Sequence, residues 1–325
     1  KSTDTGLTWT QLASTASGDP QGFDNVWDIV WNIAVHPTTG HVYAAVYNGI
    51  MRSTNGGTSW SLVLGTGPSS PYSEMTDVAI TPNGTIYASG SEGNPSSSTM
   101  EGVWQSTDGI NWTNITPAGL TSYRRIVIGP TSTNNIYILA ETPGIGTSNH
   151  SIWKRSGGTW EDRSANVPAT GGLTGNFDSQ NSYDLVIKVK PDDENVVIIG
   201  GVNLYRSTNG FASTAATTWI GGYTSANNSY ESYPNHHPDQ HSLVFAPGNS
   251  STLYSGHDGG ISKTTDILAG TVTWTFLNNG YLTTQCYTVA LDRATSGSSI
   301  ILSGFQDNGC WGVTSASSTA SWGDL

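Results

Sequence analysis

Arg52–Trp60 reads R-S-T-N-G-G-T-S-W, and near-copies of it recur along the chain. Ser2–Trp9 reads S-T-D-T-G-L-T-W, Ser106–Trp112 reads S-T-D-G-I-N-W, and Ser156–Trp160 reads S-G-G-T-W. Stretched versions open at Ser207–Asn209 and Thr264–Asp266 and close at Trp219 and Trp274, and a worn last copy ends at Trp322. The steps between the closing tryptophans are 51, 52, 48, 59, 55 and 48 residues. A period near 50 marks a chain of repeated supersecondary units. Within each copy the Asp or Asn side chain accepts hydrogen bonds from downstream amides, and Gly supplies a positive φ. The tryptophan then enters the next strand and is expected to bury its ring between sheets.

These segments resemble the Asp-box, S-x-D-x-G-x-T-W, of the Asp-box (BNR) β-propellers. That superfamily includes sialidases, sortilin-type receptors, glycoside hydrolase family 74 and many secreted bacterial propellers. The resemblance implies an all-β propeller of four-stranded antiparallel blades, with the boxes between third and fourth strands. The box is a structural element and says almost nothing about activity.

Composition narrows the partners. Charged residues make up 11% of the 325 residues, against roughly 25% in an average soluble protein. The net charge of −12 argues against nucleic acid and against an anionic membrane surface. Ser, Thr, Asn and Gly carry the polar surface, as suits a secreted or cell-surface protein, and the repeat style looks bacterial. No apolar run is long enough to cross a bilayer as a helix. Cys286 and Cys310 make no disulfide framework; they read as one bridge or as two small buried side chains.

Six units follow one another at about 27–63, 75–115, 123–163, 183–220, 241–277 and 286–325, each with four short strands separated by turn signals. Lys1–Leu12 reads as the outer half of a further blade. Two inner strands beyond Leu325 would complete it and give seven blades, so the sequence reads as one propeller domain within a longer chain. The segments at 165–175 and 225–235 read as long surface loops.

In a propeller, the loops entering the innermost strands share one face with the loops joining second and third strands. This nominates Asp28, Trp31, Arg124, Arg125, His241, Gln306 and Asn308 as ligand-binding residues. Trp27, Trp31, Tyr47 and Tyr72 have the character to stack on sugars, although Trp27 and Trp31 also suit a core. The densest stretch, Tyr233–His241, reads Y-P-N-H-H-P-D-Q-H and is followed by H-D-G-G at His257 and Q-D-N-G at Gln306. It resembles the D-x-H…D-G-G…Q-D-N-G signature of a group of large secreted bacterial Asp-box proteins. No cofactor is expected, apart from a divalent metal as one reading of His236, His237, Asp239 and His241. A structural hydrogen-bonded network is the other.

Enzyme readings are constrained by what is missing. A sialidase needs three clustered arginines and an activated tyrosine, and the F/Y-R-I-P motif before the first box is absent. A hydrolase resembling family 74 needs two carboxylates. Asp258–Lys263, D-G-G-I-S-K, resembles that family's D-I-G-G-A-Y-R with one residue fewer, and Asp258 with Asp307 is the catalytic pair it suggests. The first unit reads Tyr47-Asn48-Gly49 in the corresponding place, with no Asp. The leading expectation is a non-catalytic module that recognises glycan or an extracellular protein. The alternatives are a polysaccharide hydrolase and a structural subunit of an extracellular assembly.

Overall fold

The structure is a computed structural model that describes residues 1–325 except 17, 20, 21, 23, 68–74, 92–99, 145–148, 169–176, 224–231, 280–284, 307, 308, 316, 318–320 and 325. Six four-stranded antiparallel sheets succeed one another along the chain. The first holds β1 (Val30–Val35), β2 (Val42–Val46), β3 (Gly49–Ser53) and β4 (Ser61–Gly65). The second holds β5 (Thr76–Ile80), β6 (Ile86–Gly90), β7 (Gly102–Ser106) and β8 (Thr113–Asn114). The third holds β9 (Ile126–Pro130), β10 (Ile136–Glu141), β11 (His150–Ser156) and β12 (Thr159–Asp162). The fourth holds β13 (Val186–Lys190), β14 (Asp193–Gly200), β15 (Leu204–Ser207) and β16 (Thr217–Gly221). The fifth holds β17 (Gln240–Ala246), β18 (Asn249–His257), β19 (Gly260–Thr264) and β20 (Thr275–Phe276). The sixth holds β21 (Cys286–Leu291), β22 (Ile301–Phe305), β23 (Cys310–Val313) and β24 (Gly323–Asp324). Among the described residues the helical content is three short 3-10 turns, and no helix is long and apolar enough to cross a membrane.

The core lies between sheets and not within any one of them. Successive residues of a strand point to opposite faces, so a strand with a sheet on either side reads as an unbroken apolar run. Along β10, Ile136, Ile138 and Ala140 pack with Tyr87 and Val103 of the second sheet. Tyr137 and Leu139, one residue out of phase, pack with Ile187, Val197 and Ile199 of the fourth. Along β14, Val196 and Ile198 continue the pattern against Leu243, Phe245 and Leu253 of the fifth.

The repeated turns lock sheet to sheet. In the second sheet Ser106 Oγ donates to Asp108 Oδ1, and the amides of Ile110 and Asn111 donate to the same oxygen, each at 2.8 Å. Gly109 takes φ +68°, and a Cβ there would stand 2.0 Å from the Tyr43 hydroxyl of the first sheet. Closing tryptophans reach the same way. Trp160 Nε1 donates to Ile115 O at 2.6 Å and Trp274 Nε1 to Ile220 O at 2.7 Å, each a carbonyl of the preceding repeat.

The two ends depart from the expectation. Lys1–Leu12 forms no strand; Lys1 and Thr10 exchange two backbone hydrogen bonds around their turn. Trp9 is 74% exposed and Trp322 38%, whereas Trp274 is 1% exposed. A ring is buried only where a sheet covers it, and neither end copy has that cover among the described residues. The same openness leaves Ile33 and Val35 of β1 and Tyr287, Val289 and Leu291 of β21 exposed. Cys286 and Cys310 are free thiols, and both are exposed. They lie on the two strands flanking β22, so the expectation of a bridge or of buried packing does not hold.

Candidate functional site

The inner strands β1, β5, β9, β13 and β17 surround a cavity of about 550 Å³, lined among others by Trp31, Asp77, Arg125, Lys188 and His241. Its wall is tied together by Asp77. Oδ1 of that carboxylate accepts from Asn32 Nδ2 at 2.7 Å and from its neighbour's amide, Val78 N, at 2.8 Å. Oδ2 accepts from Ile128 N at 2.8 Å. One side chain therefore joins the first three sheets. Burial nevertheless pushes its pKa up, with the three donors pulling the other way.

At one mouth of the cavity stands a group from the fourth and fifth sheets. His241, at the start of β17, has Nε2 2.6 Å from Asp258 Oδ1 in the turn between β18 and β19. Its Nδ1 lies 3.8 Å from Asp184 Oδ1. The ring of Tyr183, 58% exposed, meets the imidazole edge-on with centroids 5.0 Å apart. Asp258 and His241 remain partly open, with side chains 26% and 35% exposed.

Behind them Asp184 is completely buried, and neither of its oxygens receives an N–H or O–H donor from the described residues. The Asp239 carboxyl is foremost among its charged neighbours, and neighbouring carboxylates disfavour each other's ionisation. Burial first, then the charges of Asp239, Asp258 and Asp178, push the Asp184 carboxyl up to about 8. Asp239 is anchored from outside by Gln180 Nε2 at 2.9 Å and holds a left-handed backbone, φ +63°.

The nominated ligand residues separate into two groups. Arg125 belongs to the cavity: its Nη1 donates to Ser182 O and Tyr183 O, both at 3.0 Å, and its guanidinium lies 5.2 Å from the Trp31 ring centre. Arg124 is itself exposed and reaches the buried Glu141 at 3.3 Å and Asn181 Oδ1 at 3.0 Å. Asp28 folds its own turn, accepting from the amides of Asp24 and Asn25. Gln306 accepts from the Tyr287 hydroxyl at 2.6 Å on the sixth sheet. Asp307 and Asn308, and the aromatic Tyr72, lie outside the described residues, as do most of the two long loops expected at 165–175 and 225–235.

The histidine-rich stretch splits as well. His236 is fully buried, 4.4 Å centroid to centroid from Trp274 and 4.9 Å from His257. His237 stacks on His257 at 5.9 Å and directs Nδ1 to Pro238 O. His241 and Asp239 belong to the mouth instead. Among the described residues no three His, Cys, Asp or Glu side chains converge as ligands of one metal ion. Burial holds His257 down at about 3 and His236 well below its ordinary value.

Sequence reasoning passed over Tyr183 and Lys188. Tyr183 precedes the first residues of an inner strand, as Arg124 does, and that position was its signal. Lys188 interrupts the apolar run Val186, Ile187, Val189, which is where a lone charge draws notice.

No family model matches the chain, and no curated protein sequence does. Solved structures do resemble it. A family 74 glycoside hydrolase from Niastella koreensis is 18% identical with a TM-score of 0.55, over 90% of this chain and 50% of that one. The chain thus spans about half the length of that enzyme. YCF48 from Cyanidioschyzon merolae is 12% identical with a TM-score of 0.48, over 93% and 85% of the two chains. A family 93 α-L-arabinofuranosidase of Fusarium graminearum, solved with arabinobiose, is 14% identical with a TM-score of 0.45, over 78% and 81%. The first of these establishes the propeller-like fold. At this identity it shows no more than that.

Proposed function

We propose that the protein is an Asp-box β-propeller working outside the cell as a non-catalytic module that binds a glycan across the mouth of its channel. One observation carries the reading: the exposed Tyr183 ring set edge-on against His241, with the imidazole fixed by Asp258. An aromatic face with a rigid polar neighbour suits a sugar, whose C–H face stacks while its hydroxyls hydrogen-bond alongside. The low charge and hydroxyl-rich composition fit a chain exported from the cell.

A hydrolase is the second reading, and the Asp184–Asp239 pair favours it. A carboxyl raised to about 8 is a proton donor at neutral pH. Against it, both members are buried, so neither meets a glycosidic oxygen directly. Asp258 is the more accessible carboxylate of the group.

Affinity electrophoresis against soluble plant and bacterial polysaccharides, with reducing-end release followed on the same panel, tests both readings. Retardation by at least one polymer, lost in Tyr183→Ala, with no sugar released, supports the binding module. Release that vanishes in Asp258→Asn replaces it with the hydrolase. A folded protein that neither binds nor cleaves any polymer overturns both.

A further inference from the structure

The cavity behind the mouth holds more positive charge than its walls neutralise. Lys188 lines it from β13, half-buried, and makes no hydrogen bond or ion pair among the described residues. The buried lysines elsewhere are paired: Lys154 with Glu194 at 2.7 Å, and Lys190 with Asp192. Arg125 also lines the cavity, and its buried Nε donates to nothing. Asp77 is the carboxylate nearest in effect to both cations, yet its oxygens are taken by Asn32, Val78 and Ile128. Burial pushes the Lys188 amine down, and Asp77 opposes this.

Asp184, which also acts on Arg125, does not line the cavity, and burial pushes it toward its neutral form. The pocket therefore carries two cations against one saturated carboxylate, inside a protein of net charge −12. An unpaired ammonium withdrawn from water is costly, and an incoming anion offsets that cost.

We infer that this cavity is an anion pocket that receives the carboxylate of an acidic sugar between Lys188 and Arg125. The inference rests on the reading that the mouth takes a glycan. It adds the substrate class: uronate-bearing chains in place of neutral ones. His241 is shared by mouth and cavity, so a ring seated on Tyr183 and His241 directs a substituent inward. A volume of about 550 Å³ accommodates one or two sugar residues. Arg125 lines the cavity with its Nη1 held by two backbone carbonyls, and Lys188 supplies a point charge from the neighbouring strand.

The probes are a galacturonate trimer and its carboxyl-reduced, neutral counterpart, titrated calorimetrically against the intact protein. The acidic trimer is expected to bind at least tenfold tighter. Lys188→Met, which keeps the stem and removes the charge, is expected to abolish the difference, whereas Lys188→Arg retains it. Equal binding of the two trimers, or discrimination that survives in Lys188→Met, overturns the anion pocket and leaves the glycan reading standing. Binding of some neutral polysaccharide but of neither trimer also overturns it. Failure of every sugar overturns the reading beneath it. Should Lys188→Met not fold, the wild-type melting temperature decides: galacturonate raises it and galactose does not, or the inference falls.

Discussion

His241 Nε2 lies 2.6 Å from Asp258 Oδ1, so an imidazole at the head of one inner strand is fixed by the turn at the end of the next strand of the same sheet. The contact orients the ring whose flank Tyr183 covers.

Tyr183→Ala isolates the sugar-facing contact. The ring is 58% exposed, so its removal leaves the melting temperature within about 2 °C of wild type. Affinity for the best polymer of the panel is expected to fall about tenfold, the scale of one lost aromatic platform. Affinity electrophoresis reads it, and unchanged retardation removes Tyr183 from the site.

Asp184→Asn tests the raised carboxyl. An unfolded Asp titrates near 4, and the native carboxyl near 8. Between those values the native state holds the extra proton, so this group's contribution to stability falls as pH rises through the window and is fully lost above it. Asn mimics the protonated acid and removes the fall. The variant is therefore expected to match wild type near pH 4 and to exceed it near pH 8.5, by something on the order of a few kcal/mol. Thermal melts across that range decide the matter, since parallel profiles would mean that no shifted carboxyl exists.

Trp274→Ala and Trp9→Ala form a matched pair. Trp274 is buried against the fourth sheet and donates to Ile220 O. Its truncation is expected to cost about 3–5 kcal/mol. Trp9 is 74% exposed and, among the described residues, bonds only its own turn, at Gly6 O; its truncation is expected to change stability by about 0.5 kcal/mol or less. Denaturant midpoints measure both, and similar losses would mean that Trp9 is covered in solution.

That pair also shows how far the sequence reaches. The turn Ser2–Trp9 is chemically the twin of Ser106–Trp112, and local chemistry builds the same hydrogen bonds in both. Whether a sheet then covers the tryptophan is decided by chain far away, which no local pattern encodes. The inner-strand entries were legible because propeller architecture places them: Trp31, Arg125 and His241 do line one cavity. What spacing hid was direction. His236 and His241 are five residues apart, yet Asp239 between them adopts a left-handed backbone, and the two rings go to different neighbourhoods. Lys188 was hidden for a different reason, because it lies inside an inner strand and not in a loop entering one.

His236→Phe probes the second neighbourhood. His236 and His257 are both held neutral, His257 down at about 3 and His236 lower than its ordinary value, mainly by burial. Unfolded imidazoles titrate near 6.5. The stability these groups contribute is complete above that value and is lost as pH falls toward 3, each at about 1.4 kcal/mol per pH unit once fully engaged. Phe removes one of the two without breaking a hydrogen bond, because neither His236 nitrogen has a partner among the described residues. It must fit between Trp274 and Gly221, where a Cβ would already stand 2.5 Å from His236 Nδ1, so a modest loss at pH 7.5 is expected from its extra bulk. Asp184 works in the opposite direction between about pH 4 and 8, so the comparison belongs in the Asp184→Asn background. There the melting temperature is expected to fall from pH 6.5 to pH 4 in both proteins, with about half the slope in the Phe variant. Identical slopes would mean that the acid sensitivity lies elsewhere than in this buried pair.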